Sequence, residues 1–179
     1  MVYVLLSEGF EEIEALAVVD ILRRAGLQVQ TVGVQSNCIR GSHQIEVKAD
    51  ITIEEIKPQF DAIVLPGGPG TGNMEKVSMV QKLLDVAENT DCLIAAICAA
   101  PFILGHRHML DNKKFTCYPG CEAGLDSALY TGNLVEEDGR FITGKGPGAA
   151  IPFALKIVSR LVSEEKAKQL SASMQCQNQ

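Results

Sequence analysis

The sequence carries no excess of basic residues. Its 16 Lys and Arg stand against 22 Asp and Glu, a net charge of −6 over 179 residues. That balance argues against binding nucleic acid or an anionic membrane by bulk electrostatics. No apolar run approaches the ~20 residues of a membrane-spanning helix. The opening residues Met1 to Glu8 have no basic n-region and turn acidic at once. They do not read as a signal peptide, so a cytoplasmic location is expected. The loop Pro66-Gly67-Gly68-Pro69-Gly70 is followed by no Gly-Lys-Ser/Thr, which excludes a phosphate loop there. There is no internal repeat and no linker. A single domain over 1–179 is expected, with a polar tail from about Ser171 that frays. The cysteines, Cys38, Cys92, Cys98, Cys117, Cys121 and Cys176, form no framework. Cys117 and Cys121 have C-x3-C spacing, but no second cysteine or histidine pair completes a zinc site. Free thiols, no metal and no cofactor are expected.

What is present centres on Leu93-Ile94-Ala95-Ala96-Ile97-Cys98-Ala99-Ala100-Pro101. The apolar run Leu93 to Ile97 suits a strand covered on both faces. Pro101 suits the first turn of a helix. Cys98 lies between them with alanines two residues before and two after, the thiol counterpart of a serine nucleophile elbow. A helix N-terminus beneath the sulfur favours thiolate, so a lowered thiol pKa is expected. The plain alternative is a buried structural cysteine.

Along the chain, Val2 to Leu6 reads as a buried strand, Glu11 to Ala25 as an amphipathic helix stopped by Gly26, and Gln28 to Val34 as a second strand. Strand, helix, strand with short connections signals a parallel α/β sheet. Gln35 to Ser42 reads as irregular, His43 to Ile53 as an edge hairpin, and Ala62 to Leu65 as a core strand. Ser78-Met79-Val80-Gln81 has the pattern of a capping box opening a helix to Glu88. Phe115 to Cys117 suggests a short strand, Cys121 to Ser127 a helix, Leu134 to Thr143 a hairpin turning at Asp138-Gly139, and Ala149 to Leu161 an apolar helix. Ser163 reads as the cap of a last helix.

Ligands of open α/β sheets bind outside the carboxyl ends of the strands. Gly9 to Glu14, Gly67-Gly68, Cys98 and Lys145 to Gly148 all fall at such ends, which points to a thiol active site. Gly67-Gly68 can bring backbone N–H groups to an oxyanion, although an ordinary βα loop has the same look. A nucleophilic thiol needs a proton partner. His106 and His108 follow Cys98 by eight and ten residues, about 12–15 Å along a helix, so they read as surface residues. His43 has no evident path to the elbow within one chain. The remaining partners are Glu11, Glu12 and Glu14, whose other reading is ordinary helix N-terminal charge. A buried carboxyl beside the thiol has a raised pKa and can donate a proton.

Gly9-Phe10-Glu11-Glu12-Ile13-Glu14, Arg23-Arg24-Ala25-Gly26, Leu65-Pro66-Gly67-Gly68, Ala95 to Pro101 and Gly146-Pro147-Gly148 resemble, in order and over nearly the whole chain, the ThiJ/PfpI superfamily. The branch is that of the Parkinson-disease-linked protein deglycase and bacterial YajL. The resemblance implies a flavodoxin-like three-layer α/β/α sandwich with a mainly parallel sheet, and a homodimer. It implies that Cys98 is a reactive, oxidation-prone thiol and that Glu14 is the glutamate bonded to it. Gly67, Gly68 and Ala99 match backbone donors around the site. Asp20 and Arg24 match polar positions near the pocket and dimer contact, and Gly146 and Pro147 lie in a matching loop. His43 falls where relatives place an arginine at the subunit contact, and Tyr118 where they carry a histidine. Ala99 stands where the protease-like branch has its catalytic histidine, which disfavours peptidase activity. The implied activity is of glyoxalase or deglycase type on a small aldehyde or dicarbonyl. The alternative is a redox sensor or redox-regulated chaperone, with Cys117 as a resolving thiol.

Overall fold

The computed structural model describes residues 1–176. Its centre is a seven-stranded sheet in the order β10-β11-β7-β6-β1-β2-β5. The strands are β1 (Val2–Leu6), β2 (Val29–Gly33), β5 (Ile51–Thr52), β6 (Ala62–Leu65), β7 (Leu93–Ile97), β10 (Val135–Asp138) and β11 (Phe141–Gly144). Every neighbouring pair is parallel except β10 with β11. The helices are α1 (Glu12–Arg24), α2 (Thr71–Glu75), α3 (Ser78–Glu88), α4 (Pro101–His106), α5 (Ala150–Leu161) and α6 (Glu164–Ser173). The short strands β3 (Cys38–Arg40) and β4 (Glu46–Lys48) form a hairpin, and β8 (Lys114–Phe115) pairs with β9 (Leu129–Tyr130).

Side chains alternate across a strand, so each central strand feeds two cores. Val2, Val4 and Leu6 of β1 pack with α1, α5 and α6, whereas Tyr3 and Leu5 pack with α3 and α4. This is the three-layer sandwich expected. The chain runs from β1 outward to β2 on one side and through β6, β7 and β11 on the other. The loops after β1 and β6 therefore part at the switch point where ligands enter such sheets. Among the described residues no helix is long and apolar enough to cross a membrane.

Several local expectations are corrected. Gln35 to Ser42 contains β3, whose one buried residue, Ile39, leaves no pattern to read. Ser78 does not cap α3: Val77 holds the cap position without a side-chain bond, and the reciprocal box lies at Thr52 and Glu55. Cys121 to Ser127 is a series of turns rather than a helix, because Gly120 and Gly124 adopt φ of +97° and +84°. Helix α6 runs to Ser173, past the expected fraying point, and 177–179 lie outside the described residues. Ser163 does cap it, accepting from the Lys166 N–H.

Candidate active site

Strand β7 delivers Cys98 into a left-handed conformation, φ +63°, uncommon for a residue with a side chain. Such strain persists only where surroundings hold it. Here the Cys98 N–H donates to the Gly144 carbonyl at 2.8 Å, and the Tyr118 N–H donates to the Cys98 carbonyl at 2.8 Å. The flanking Ala96 and Ala100 are fully buried, leaving no room for larger residues at this turn. Pro101 then opens α4.

The other half of the site comes from β1 and β6. The Glu11 N–H donates to the Gly67 carbonyl at 2.9 Å and stitches the two loops together. Glu14, in the first turn of α1, is fully buried, and its Oε2 accepts the Gly67 N–H at 2.8 Å. Gly67 is required by closeness: a Cβ there would lie 2.6 Å from Cys98 Cβ and 2.9 Å from the Ala99 nitrogen. Gly68 is required by its backbone, φ +102°, and by the Gly9 carbonyl 2.5 Å from where a Cβ would stand. The Gly67 donor is thus committed to Glu14. The N–H groups left to face the sulfur are those of Gly68 and Ala99.

Burial pushes the Glu14 carboxyl up to about 7, against the pull of the Gly67 N–H and Cys98; Glu11 nearby adds to the rise. The Cys98 thiol is pushed up to about 12, by burial first and then by the charge and hydrogen bond of Glu14, while Ala99 and Gly68 pull it down. This reverses the lowered value expected from the elbow. Cys98 is only 8% exposed and a carboxylate sits against it, which outweighs the helix end. Glu14 Oε1 is buried without a hydrogen bond. An oxygen so placed disfavours the ionised carboxylate, whose charge would be unsatisfied there. Near neutrality the thiol therefore keeps its proton while Glu14 passes between its protonated and ionised forms, a coupled pair that holds one proton once the carboxyl is ionised.

Glu11 and Glu12 turn elsewhere. Ser42 Oγ lies 3.0 Å from an oxygen of each, its single O–H shared between them, and His43 Nδ1 lies 3.0 Å from Glu12 Oε2 and 3.6 Å from Glu11 Oε1. Burial would raise Glu12, but His43 and Ser42 hold it down at about 2. The bond to Glu12, with Glu11 beside it, raises His43. His43 thus pairs with Glu12, Glu11 and Ser42, and its hydrogen bonds reach neither Glu14 nor Cys98. Asp20 and Arg24 pair with each other at 2.7 Å on the exposed face of α1, about 9 and 15 Å along the axis from Glu14, outside the pocket of their own chain. His106 and His108 are surface residues paired with Glu75 and Asp111. Cys117 packs in the core with α3 and α4, on the other side of the sheet from Cys98, so it is not placed to resolve it.

Tyr118 is 51% exposed, and its ring lies over Gly146, where a Cβ would be 3.3 Å from Cδ2. With Pro119, Leu134, Lys145 and Pro147 it lines a cleft of about 230 Å³. Leu134 carried no signal in the sequence. Neither did the Gly144 carbonyl, a backbone group that only sheet pairing reveals.

Fold and site together define a class: flavodoxin-like α/β proteins with a cysteine on a strand-to-helix elbow and a buried glutamate against it. The chain belongs to the DJ-1/PfpI family, whose model matches residues 1–160. Drosophila melanogaster dj-1beta is 36% identical over 176 residues, covering 96% of this chain and 94% of that one. Its crystal structure has a TM-score of 0.93 at 34% identity, over 99% of this chain and 98% of that one. A Caenorhabditis elegans protein named glutathione-independent glyoxalase DJR-1.2 is 35% identical over 167 residues, 91% of this chain and 89% of that protein. Toxoplasma gondii DJ-1, solved oxidized, has a TM-score of 0.90 at 33% identity, over 97% of this chain and 96% of that one.

Proposed function

We propose that this protein is a cofactor-independent thiol enzyme acting on small reactive dicarbonyls, glyoxal and methylglyoxal, or on their adducts. It adds one water to each 2-oxoaldehyde and releases the 2-hydroxy acid. The observation that carries this reading is buried Glu14, one oxygen unbonded, set against Cys98 beneath the N–H groups of Gly68 and Ala99. The name of the glyoxalase relative supports it.

The sulfur bonds to the aldehyde carbon, and the carbonyl oxygen takes the proton of the pair. This gives a hemithioacetal and leaves Glu14 ionised. Gly68 and Ala99 stabilise the oxygen as charge develops. Glu14 then removes the proton from the former aldehyde carbon and delivers it to the neighbouring carbon, while the hydroxyl proton passes to the neighbouring oxygen; the rearrangement runs through an enediol and leaves a thioester. Water cleaves the C–S bond, releases lactate or glycolate, and returns one proton to the pair. A carboxyl raised to about 7 suits both halves of this relay. Cys98→Ser is expected to abolish lactate formation from methylglyoxal; full turnover by that variant overturns the reading.

A second reading is a redox sensor, favoured by the same two N–H groups and by the oxidized relative. Two peroxides would convert the thiol to a sulfinic acid with release of two waters. Intact mass after peroxide titration tests it: no selective two-oxygen gain at Cys98 counts against it. The proposal includes a cytoplasmic homodimer. Ile13 and Leu16 stand exposed on the face of α1 that continues to the Asp20–Arg24 pair, and Ile45 is exposed on the adjoining hairpin. Leu16→Arg is expected to halve the mass measured by light scattering.

A further inference from the structure

The elbow is held from two sides by segments that lie far apart in the chain. The Cys98 N–H donates to the Gly144 carbonyl and the Tyr118 N–H donates to the Cys98 carbonyl, each at 2.8 Å. Gly144 ends β11, whereas Tyr118 belongs to the turn that follows β8. A left-handed cysteine persists only while both bonds hold it, so the two holders must keep a fixed spacing.

One side chain fixes that spacing. Thr143, next to Gly144, accepts the Thr116 N–H on its Oγ1 at 2.9 Å in a buried hydrogen bond. Thr116 stands two residues before Tyr118. A ring is thereby closed: Cys98 to Gly144, Thr143 to Thr116, Tyr118 back to Cys98. Two of its hydrogen bonds join backbone to backbone. The third is the one a side-chain substitution removes. Thr116 Oγ1 in turn donates to the Asn133 carbonyl at 2.6 Å and anchors the segment from its other side.

Strand β11 sets this hydroxyl among apolar neighbours. Phe141, Ile142 and Gly144 surround Thr143 in sequence, and all four residues are buried. Ile142 packs in the core under α1 and α5, and Phe141 in the core under α3 and α4. Alternation puts Thr143 on the Phe141 face, where Phe115 and Cys117 also pack. Valine has nearly the shape of threonine and lacks only the hydroxyl. Packing alone therefore gives no reason for threonine here, and the bond to Thr116 does. Without it a buried N–H loses its acceptor.

We infer that Thr143 is a positioning residue: its hydroxyl closes the ring that holds Cys98 left-handed, and so sets the sulfur against Glu14 and Gly68. It touches no reacting atom. Its effect on turnover rests on the dicarbonyl reading above, whereas its effect on the sulfur's placement does not.

The test needs a readout that lost stability alone does not move. Glu14→Gln lowers the Cys98 pKa only while the sulfur lies against that carboxyl, so the size of this shift reports placement. Thiolate absorbance against pH reads it. With Thr143→Val the shift is expected to fall to about half or less of its size with Thr143 in place. Turnover of methylglyoxal should fall about tenfold or more, since misplacement by about 1 Å can cost 10²-fold. Thr143→Ser keeps the hydroxyl and should restore both. Thr31→Val is the control, because Thr31 Oγ1 accepts the Asp50 N–H at 2.9 Å on β2, three strands from β7. It should lower the denaturant midpoint and leave shift and turnover unmoved. A full shift with undiminished turnover in Thr143→Val, or a serine variant as impaired as the valine, overturns the inference. If Thr143→Val does not fold, amide exchange of the wild type decides. The N–H groups of Thr116, Tyr118 and Cys98, the three donors of the ring, should show one common protection. Protection of Thr116 weaker than that of the other two by about tenfold overturns the ring. Failure of the wild type to turn over methylglyoxal overturns the dicarbonyl reading and leaves the titration to judge Thr143.

Discussion

Two thiols in this molecule have the same pKa displacement and opposite prospects. Cys98 and Cys117 are both buried, both sit beside a glutamate, and both are pushed up to about 12. For Cys117 the causes are burial, then the charge of Glu122, then Cys121, then a long hydrogen bond, 3.8 Å, to Glu122. Glu122 Oε2 already accepts the Gly120 N–H at 2.7 Å. Nothing there faces the sulfur with a backbone donor. Cys98 has two such donors, a strained backbone that presents it, and a carboxyl lifted to about 7. Displacement of the thiol alone therefore does not single out the cysteine proposed as nucleophile. The groups that would receive its charge and its proton do.

The sharpest way to break this comparison is to remove each carboxyl in turn. Glu14→Gln is expected to cut dicarbonyl turnover about 10²- to 10⁴-fold, the usual reach of a positioned acid–base group. It should also lower the Cys98 pKa, because the charge and bond that raise it disappear. Glu122→Gln should lower the Cys117 pKa and leave turnover intact. Thiolate absorbance against pH, with Cys98→Ser and Cys117→Ser as references, reads both. Loss of turnover in the Glu122 variant would erase the distinction.

A smaller effect concerns stability. Glu14 binds its proton more tightly folded, about 7, than at the ordinary 4.5. Its contribution is full below pH 4.5 and is lost as pH rises through about 7. The loss is about 3 kcal/mol, from 1.36 kcal/mol for each unit. Denaturant midpoints between pH 4.5 and 8 should show this decline, and Glu14→Gln should flatten it. A rise over that window, or a slope unchanged in the variant, contradicts the assignment.

Smaller again is the closeness of Gly67. Gly67→Ala is expected to cost about 1–3 kcal/mol, since the new methyl meets the Cys98 Cβ and the Ala99 nitrogen. Gly72→Ala in α2, with nothing within 4 Å, should change stability by less than about 0.5 kcal/mol. The smallest effect is at the rim. His43→Gln should raise Glu12 from about 2 toward 4.5, read by carboxyl carbon NMR, because the bond that holds it down is weakened.

The elbow was legible because its signals are local. Leu93 to Ile97 is a continuous apolar run, and Pro101 marks the first helical turn, so strand and helix fall where the sequence places them. Glu14 could not be separated from Glu11 and Glu12 by pattern alone, since all three suit a helix start. Only the fold aims Glu14 at Gly67 and gives its neighbours to Ser42 and His43. Strands as short as β3 and β9 carry too few residues for periodicity to register. The thiol's upward displacement depends on how deeply the sulfur is enclosed, which is a property of the assembled loops.

The antiparallel strand β10 has a further consequence, for how the protein behaves when crowded. It forms one border of the sheet, and three of its four residues are Glu136, Glu137 and Asp138. The opposite border, β5, is only two residues long. An incoming strand would meet the carboxylates of Glu136 and Asp138 on one side, Glu137 being paired with Lys156 and Arg160, and almost no ladder on the other. Growth into fibrils by border-to-border pairing is thereby discouraged at both ends, and concentrated solutions should stay clear as long as the sheet stays folded.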